Sequence, residues 1–230
     1  MALTFRNISF DCAIFDMDGT LLDSMPMWHF ASNKYLIGKG KTPQDGLWDI
    51  VKRLNMIETA EYLINTYGLS ETVEQVCDEI RIQLITEYEE NLQLKPGSLE
   101  LLQLLNEKKI PCILATATDR KCTVTCMKRL GVEKYFTSIL TCLDFNTSKS
   151  KPLIFEKAAE AGNSIPENSL VFEDALHCVR TAHNAKFKVC ACYDSSDEEI
   201  TEPPESDWQR IVKLADTTIQ SLEEVVKGLK

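Results

Sequence analysis

Basic charge is in deficit: 25 Lys and Arg stand against 35 Asp and Glu, a formal net charge of −10. So acidic a chain repels phosphate backbones, which excludes nucleic-acid binding by bulk charge. A local basic cluster can still hold a small phosphorylated ligand. No apolar run approaches the ~20 residues of a membrane helix, so no membrane partner is expected. The first fifteen residues contain a single Arg and no long apolar stretch before a small-residue cleavage site, and no signal peptide is expected. There is no C-x-x-C pair, and the cysteine count of 9 is odd. A zinc ribbon and a disulfide framework are therefore not expected. Most cysteines sit in apolar runs and read as small buried hydrophobes in a reducing cytoplasm. Internal repeats and low-complexity tracts are absent. What is present is an ordinary globular composition, 44% hydrophobic and 26% charged over 230 residues. That fits one or two domains burying about 70% of the unfolded surface.

The run Ser-Phe-Asp-Cys-Ala-Ile-Phe at 9–15 predicts a buried strand that ends in a glycine turn. From about 22 to 94 the spacing becomes helical. Leu47, Ile50, Val51 and Leu54 form one apolar face, and Val73, Val76, Ile80 and Leu84 another. Pro96-Gly97 then punctuates the chain. After it, helices are expected over 99–107, 119–130, 152–161 and 175–185, alternating with strands over 110–115, 138–142, 170–172 and 188–192. Apolar strands alternating with helices predict a parallel sheet covered on both faces. The acidic stretch 194–207 reads as a surface loop, and Ile219 closes a last short strand before a terminal helix over 222–229. The expected architecture is α/β: a Rossmann-like core formed by 1–21 and 95–230, with an all-helical insert over 22–94. In such sheets ligands bind at the carboxyl ends of the strands.

Asp16-Met17-Asp18-Gly19-Thr20 lies at that edge. Its four fixed positions match by chance about a few times in a thousand in a chain this long. Two carboxylates two residues apart beside an apolar strand repel, and one of them is pushed toward protonation unless a cation such as Mg²⁺ intervenes. Gly19 allows the turn, and the Thr20 hydroxyl can anchor it. Val171-Phe172-Glu173-Asp174 delivers two more acids from a second apolar strand, a hard-oxygen set suited to Mg²⁺. Ile113-Leu114-Ala115-Thr116 is an apolar strand ending in a hydroxyl. His29, His177 and His183 share no metal-site spacing and read as surface or structural residues. Residues 23–28, ending in Trp28, either line a substrate entrance or pack within the insert.

Ile14-Phe15-Asp16-Met17-Asp18-Gly19-Thr20-Leu21-Leu22-Asp23-Ser24 is similar to the first motif of the haloacid dehalogenase superfamily, in the helical-cap branch (subfamily I) that holds phosphatases and beta-phosphoglucomutases. The resemblance covers nearly the whole chain. It implies that Asp16 is the nucleophile that takes a phosphoryl group, and that Asp18 is the general acid and then the base. Thr116 matches the second motif and would bind the phosphoryl group, with the Ala117 N–H as a further donor. The third motif requires a lysine, and the segment 148–155 offers two registers. Aligning Pro152 with the family's second proline, which suits Phe155, makes it Lys149, although Ser150 then stands where the first proline usually sits. The other register makes it Lys151. Asp174 would ligate Mg²⁺ together with the Asp16 carboxylate and the Asp18 carbonyl, with Glu173 either a ligand or bridged through water.

Asp18 disfavours dehalogenase and phosphonatase chemistry, whose family members lack that second acid. The resemblance therefore implies a Mg²⁺-dependent phosphatase acting on a small phosphorylated metabolite through an aspartyl-phosphate, with substrate entering between core and cap. A sugar phosphomutase is the nearest rival. Trp28 occupies the position of the mutase histidine, with His29 one residue later, and the cap has no Gly-x-Ser-Arg-type stretch. A phosphate-binding regulator is the rival of another class, and the intact Asp16, Asp18, lysine and Asp174 argue against it. Neither the leaving group nor the oligomeric state is legible.

Overall fold

The computed structural model describes residues 2–51, 54, 56–198 and 204–229. They form two compact units, Met1–Asp23 with Gln93–Lys230, and Ser24–Leu92.

In the larger unit the chain opens with β1 (Leu3–Phe5) and β2 (Ile8–Phe10), paired antiparallel with Leu3 opposite Phe10. Arg6 and Asn7, at φ 47° and 68°, make the two-residue turn between them. This corrects the single strand expected over 9–15. The doubly left-handed turn folds Ser9 and Phe10 back onto β1, and β3 (Cys12–Phe15) alone enters the main sheet. Such turns are usually advertised by Asn-Gly or Asp-Gly, and here no glycine marks the place.

The smaller unit contains α1 (Met25–Gly38), α2 (Leu47–Val51), α3 (Met56–Tyr67) and α4 (Val73–Thr86), the last running into a π-helical turn at Glu87–Asn91. Pro26 sits in the first turn of α1, where its missing N–H costs nothing. A reciprocal Thr72–Gln75 capping box starts α4. Val76, Ile80 and Leu84 are buried with Leu36, Leu47 and Leu63, whereas Ile50 lies off the packed face at 37% exposure. Met27 and Trp28 pack against this cluster.

The chain returns to the larger unit through α5 (Ser98–Glu107), β4 (Cys112–Thr116), α6 (Arg120–Arg129), β5 (Ser138–Thr141) and α7 (Leu153–Ala161). It continues through β6 (Ser169–Glu173), α8 (Leu176–Asn184), β7 (Lys188–Cys192), α9 (Asp207–Leu214), β8 (Thr217–Ile219) and α10 (Glu223–Leu229). The sheet order is β5-β4-β3-β6-β7-β8, with every pairing parallel. Every residue of β3, β4 and β6 is buried, as strands covered on both faces require. The chain fills one side of β3 and then the other, so β3 is the switch point of the sheet.

Of the acidic stretch read as a surface loop, 199–203 lie outside the described residues. Asp194 itself is buried, drawn in by an ion pair with Lys95 at 2.6 Å. Helix α9 follows and was not expected, although Ser206 and Gln209 form the capping box that starts it. The nine cysteines are all free and buried. Burial pushes the Cys12 and Cys112 thiols up to about 12, so neither is a nucleophile at neutral pH. Among the described residues no helix is long and apolar enough to cross a membrane.

The two chain crossings between the units are paired on the larger unit's side. Asp23 N–H donates to Gln93 O at 3.0 Å, Leu22 bridges Leu94, and Lys95 N–H donates to Leu21 O at 2.8 Å. Just beyond, Gly97 has φ +86°, and a Cβ there would stand 2.7 Å from the Leu222 carbonyl carbon. Gly97→Ala is expected to cost about 2 kcal/mol or more, because strain and a backbone clash add. A lowered urea midpoint at unchanged slope would show it.

Candidate active site

Parallel strands deliver their carboxyl ends to one edge, and this is what assembles the site. Asp16 follows β3, Thr116 ends β4, and Glu173 and Asp174 lie at the end of β6. Phe15 pairs with Phe172 across β3 and β6, and their rings stack at 4.6 Å, one residue before Asp16 and Glu173. Asp16 N–H donates to Phe172 O at 3.0 Å, which fixes the first acid to the neighbouring strand.

The carboxylates of Asp16, Glu173 and Asp174 lie within 4.8 Å of one another, all buried. Lys149, from the turn before α7, is 5% exposed, and its ammonium donates to Asp16 and to Glu173 Oε1, the latter at 2.6 Å. The same ammonium lies 5.9 Å from the centre of the Phe155 ring. That contact explains physically why the six-residue Lys-to-Phe spacing matters. Lys151 is exposed. Glu173 Oε2 accepts from the N–H groups of Asp174 and Ala175 at 3.1 and 3.3 Å. Both Glu173 oxygens are thus engaged, one in holding Lys149.

Burial pushes Asp16 up; the Lys149 charge pulls it down and Glu173 pushes it up again, leaving it at about 6. Burial works against the Lys149 charge, but Asp16 and Glu173 outweigh it and hold the lysine well above its usual value. Lys149 is therefore a fixed cation across neutral pH.

Asp18 is half-buried, and its Oδ2 accepts from the Thr118 hydroxyl at 2.6 Å. Thr116 is buried, and its Oγ1 accepts from Thr118 N–H at 3.0 Å. Ala117, between them, is exposed. Thr118 escaped the sequence reading; the one signal was a second threonine in Thr116-Ala117-Thr118, two residues past the strand end. The Thr20 hydroxyl does anchor the turn, donating to Asp174 Oδ1 at 2.7 Å. His29 belongs to the smaller unit, where it stacks on Trp48 at 4.3 Å.

The family model for haloacid dehalogenase-like hydrolases matches residues 13–192. The chain belongs to that family. It is 27% identical to a Thermotoga maritima phosphorylated carbohydrates phosphatase over 76% of this chain and 81% of that one. It is 31% identical to a Drosophila melanogaster protein named a probable pseudouridine-5'-phosphatase, over 76% of this chain and 78% of that one. Among solved structures it superposes on a Thermotoga maritima protein provisionally named a beta-phosphoglucomutase with a TM-score of 0.81. The two share 24% identity over 95% of this chain and 97% of that one, a likeness that carries the fold.

Three buried carboxylates with one ammonium make a site that gains from a hard divalent cation, and the ligand oxygens are of the right kind. A cation held by these carboxylates would need Asp16 ionised, so protons would compete with it below about pH 6. Magnesium titrated calorimetrically into the protein is expected to bind about tenfold more weakly at pH 5 than at pH 7.5. The sign for stability is opposite. A carboxyl raised from 3.8 to about 6 favours the metal-free fold below pH 3.8, and that contribution is lost as pH rises through about 6.

Proposed function

We propose that this hydrolase is a Mg²⁺-dependent phosphatase that hydrolyses a small phosphorylated metabolite through an aspartyl-phosphate on Asp16. The observation that carries the reading is the contact of Lys149 with Asp16 beside the buried acidic trio. A nucleophilic carboxylate, a fixed cation and a divalent-cation site converge at one sheet edge. The Asp16 and Asp174 carboxylates and the Asp18 main-chain carbonyl would hold the ion, whose positive charge would offset that of the phosphoryl oxygens and of Asp16. Glu173 is assigned to anchoring Lys149, because both of its oxygens already accept hydrogen bonds.

In the first half-reaction an Asp16 oxygen attacks phosphorus as the ester P–O bond breaks, and Asp18 gives its proton to the departing alkoxide. In the second, Asp18 takes a proton from water as that water attacks phosphorus. The Asp16 carboxylate is released, and Asp18 ends protonated for the next cycle. Thr118, donating to Asp18, orients that carboxylate. Lys149, the Thr116 hydroxyl and the Ala117 N–H are the donors for the phosphoryl oxygens. Free buried thiols support a reducing compartment, the cytoplasm, as the place of work.

The relatives suggest two substrate groups, sugar phosphates and nucleoside 5'-monophosphates, pseudouridine 5'-phosphate among them. Phosphate release is the test, with Mg²⁺ or EDTA, across both groups. Wild type is expected to release phosphate with Mg²⁺ alone. Asp16→Asn and Lys149→Met are expected to lose at least a thousandfold in kcat, roughly what removing a nucleophile or a central electrostatic donor costs. Lys151→Met is expected to keep wild-type turnover. Isomerisation of a sugar phosphate without net phosphate release would instead establish a mutase.

A further inference from the structure

We infer that Lys95 is a positioning residue that fixes the Asp174 carboxylate through the Gly19–Thr20 turn. Its ammonium has three N–H groups and three acceptors: Gly19 O, Asp194 Oδ2 at 2.6 Å and Tyr193 O at 3.4 Å. These join three separate pieces of chain at the carboxyl edge of the sheet: the turn after β3, the loop after β7, and the crossing that returns from the smaller unit. The Lys95 side chain is 18% exposed and that of Asp194 6%.

The path from Lys95 to Asp174 is short. Gly19 adopts φ +79°, and a Cβ there would stand 2.8 Å from Asp174 Cγ, so the turn lies flush against that carboxylate. The next residue, Thr20, donates its hydroxyl to Asp174 Oδ1 at 2.7 Å. The Gly19 carbonyl thus faces Lys95 while the following side chain grips Asp174. Without the ammonium, a buried carbonyl and a buried carboxylate both lose a donor, and the turn is held less firmly against Asp174. Asp194 keeps the arrangement neutral, so that the lysine contributes its donors without a net positive charge competing with a divalent cation. Burial pushes Asp194 up, but hydrogen bonds from Lys95 and Ser196 outweigh it and hold the carboxyl below its usual range.

A merely structural role, pinning the linker, would need the side chain but not a donor at that spot. The two are separable because Lys95 lines a cavity of about 230 Å³ together with Thr20, Tyr193 and Ser221 among others. Truncation to alanine opens the space to a small soluble amine.

The inference rests on the reading that the acidic trio holds a divalent cation, so the primary readout is magnesium binding by calorimetry, without substrate. Lys95→Ala is expected to bind Mg²⁺ about tenfold more weakly than wild type, the usual cost of losing a group that orients a ligand. Propylammonium is expected to restore the affinity, whereas tetramethylammonium, which carries the charge but no N–H, is not. In phosphate-release assays kcat should fall in parallel while KM changes less than about threefold. Lys95→Met keeps the aliphatic stem and covers the case in which the alanine variant fails to fold; it should show the same weakening. Wild-type Mg²⁺ affinity in Lys95→Met, or equal rescue by the two ammonium ions, would overturn the inference. If wild type itself binds no Mg²⁺ and Asp174→Asn changes nothing, the reading of the acidic trio fails instead.

Discussion

Asp16, Glu173 and Asp174 are forced together by the ends of two paired parallel strands, and Lys149 is bonded to two of them. When all four are ionised, two negative charges are left unbalanced in a buried setting. Desolvation and mutual repulsion then oppose ionisation, which is why Asp16 sits at about 6 and not near its ordinary value. A hard cation relieves this conflict, and the rest of the edge serves to keep the conflict in one geometry. The stacked Phe15 and Phe172 rings hold β3 and β6 together one residue before Asp16 and Glu173. Glu173, tied to two main-chain N–H groups, keeps Lys149 in place.

The topology makes such a cluster possible. Every strand of the sheet is parallel, so residues from three separate stretches of chain reach the same edge without long side-chain detours. The insertion of the smaller unit directly after β3 places both chain crossings beside the first motif. The pairing of those crossings ties the motif's turn to the backbone that returns. Gly19 has no alternative at its position, since it needs a positive φ and any side chain would strike Asp174.

Much of the fold was legible because buried parallel strands are uniformly apolar and their helices follow with regular spacing. The strands around β3, β4, β6 and β7 announce themselves in this way. The opening hairpin did not, because Arg6 and Asn7 adopt left-handed backbone without a glycine to signal it. Helix α9 was hidden by the acidic stretch before it, although its Ser206–Gln209 box was present in the sequence. In the site, residues with fixed spacing to a strand end were legible: Asp16, Asp18, Thr116, Glu173 and Asp174. Lys149 could be separated from Lys151 through Phe155, and the ring lying by the Lys149 ammonium gives that spacing its cause. Thr118 and Lys95 carry no such spacing. Their parts depend on contacts between residues 100 and 76 positions apart, which a single sequence does not show.

The central claim is that Asp16 itself accepts the phosphoryl group. Acid quenching during turnover, followed by borohydride reduction and peptide mass spectrometry, tests it most directly. An acyl phosphate on Asp16 would be reduced to homoserine at that position alone, in a Mg²⁺-dependent manner. Rapid turnover with no modified Asp16 at any quench time, or with the label on another residue, would contradict the account.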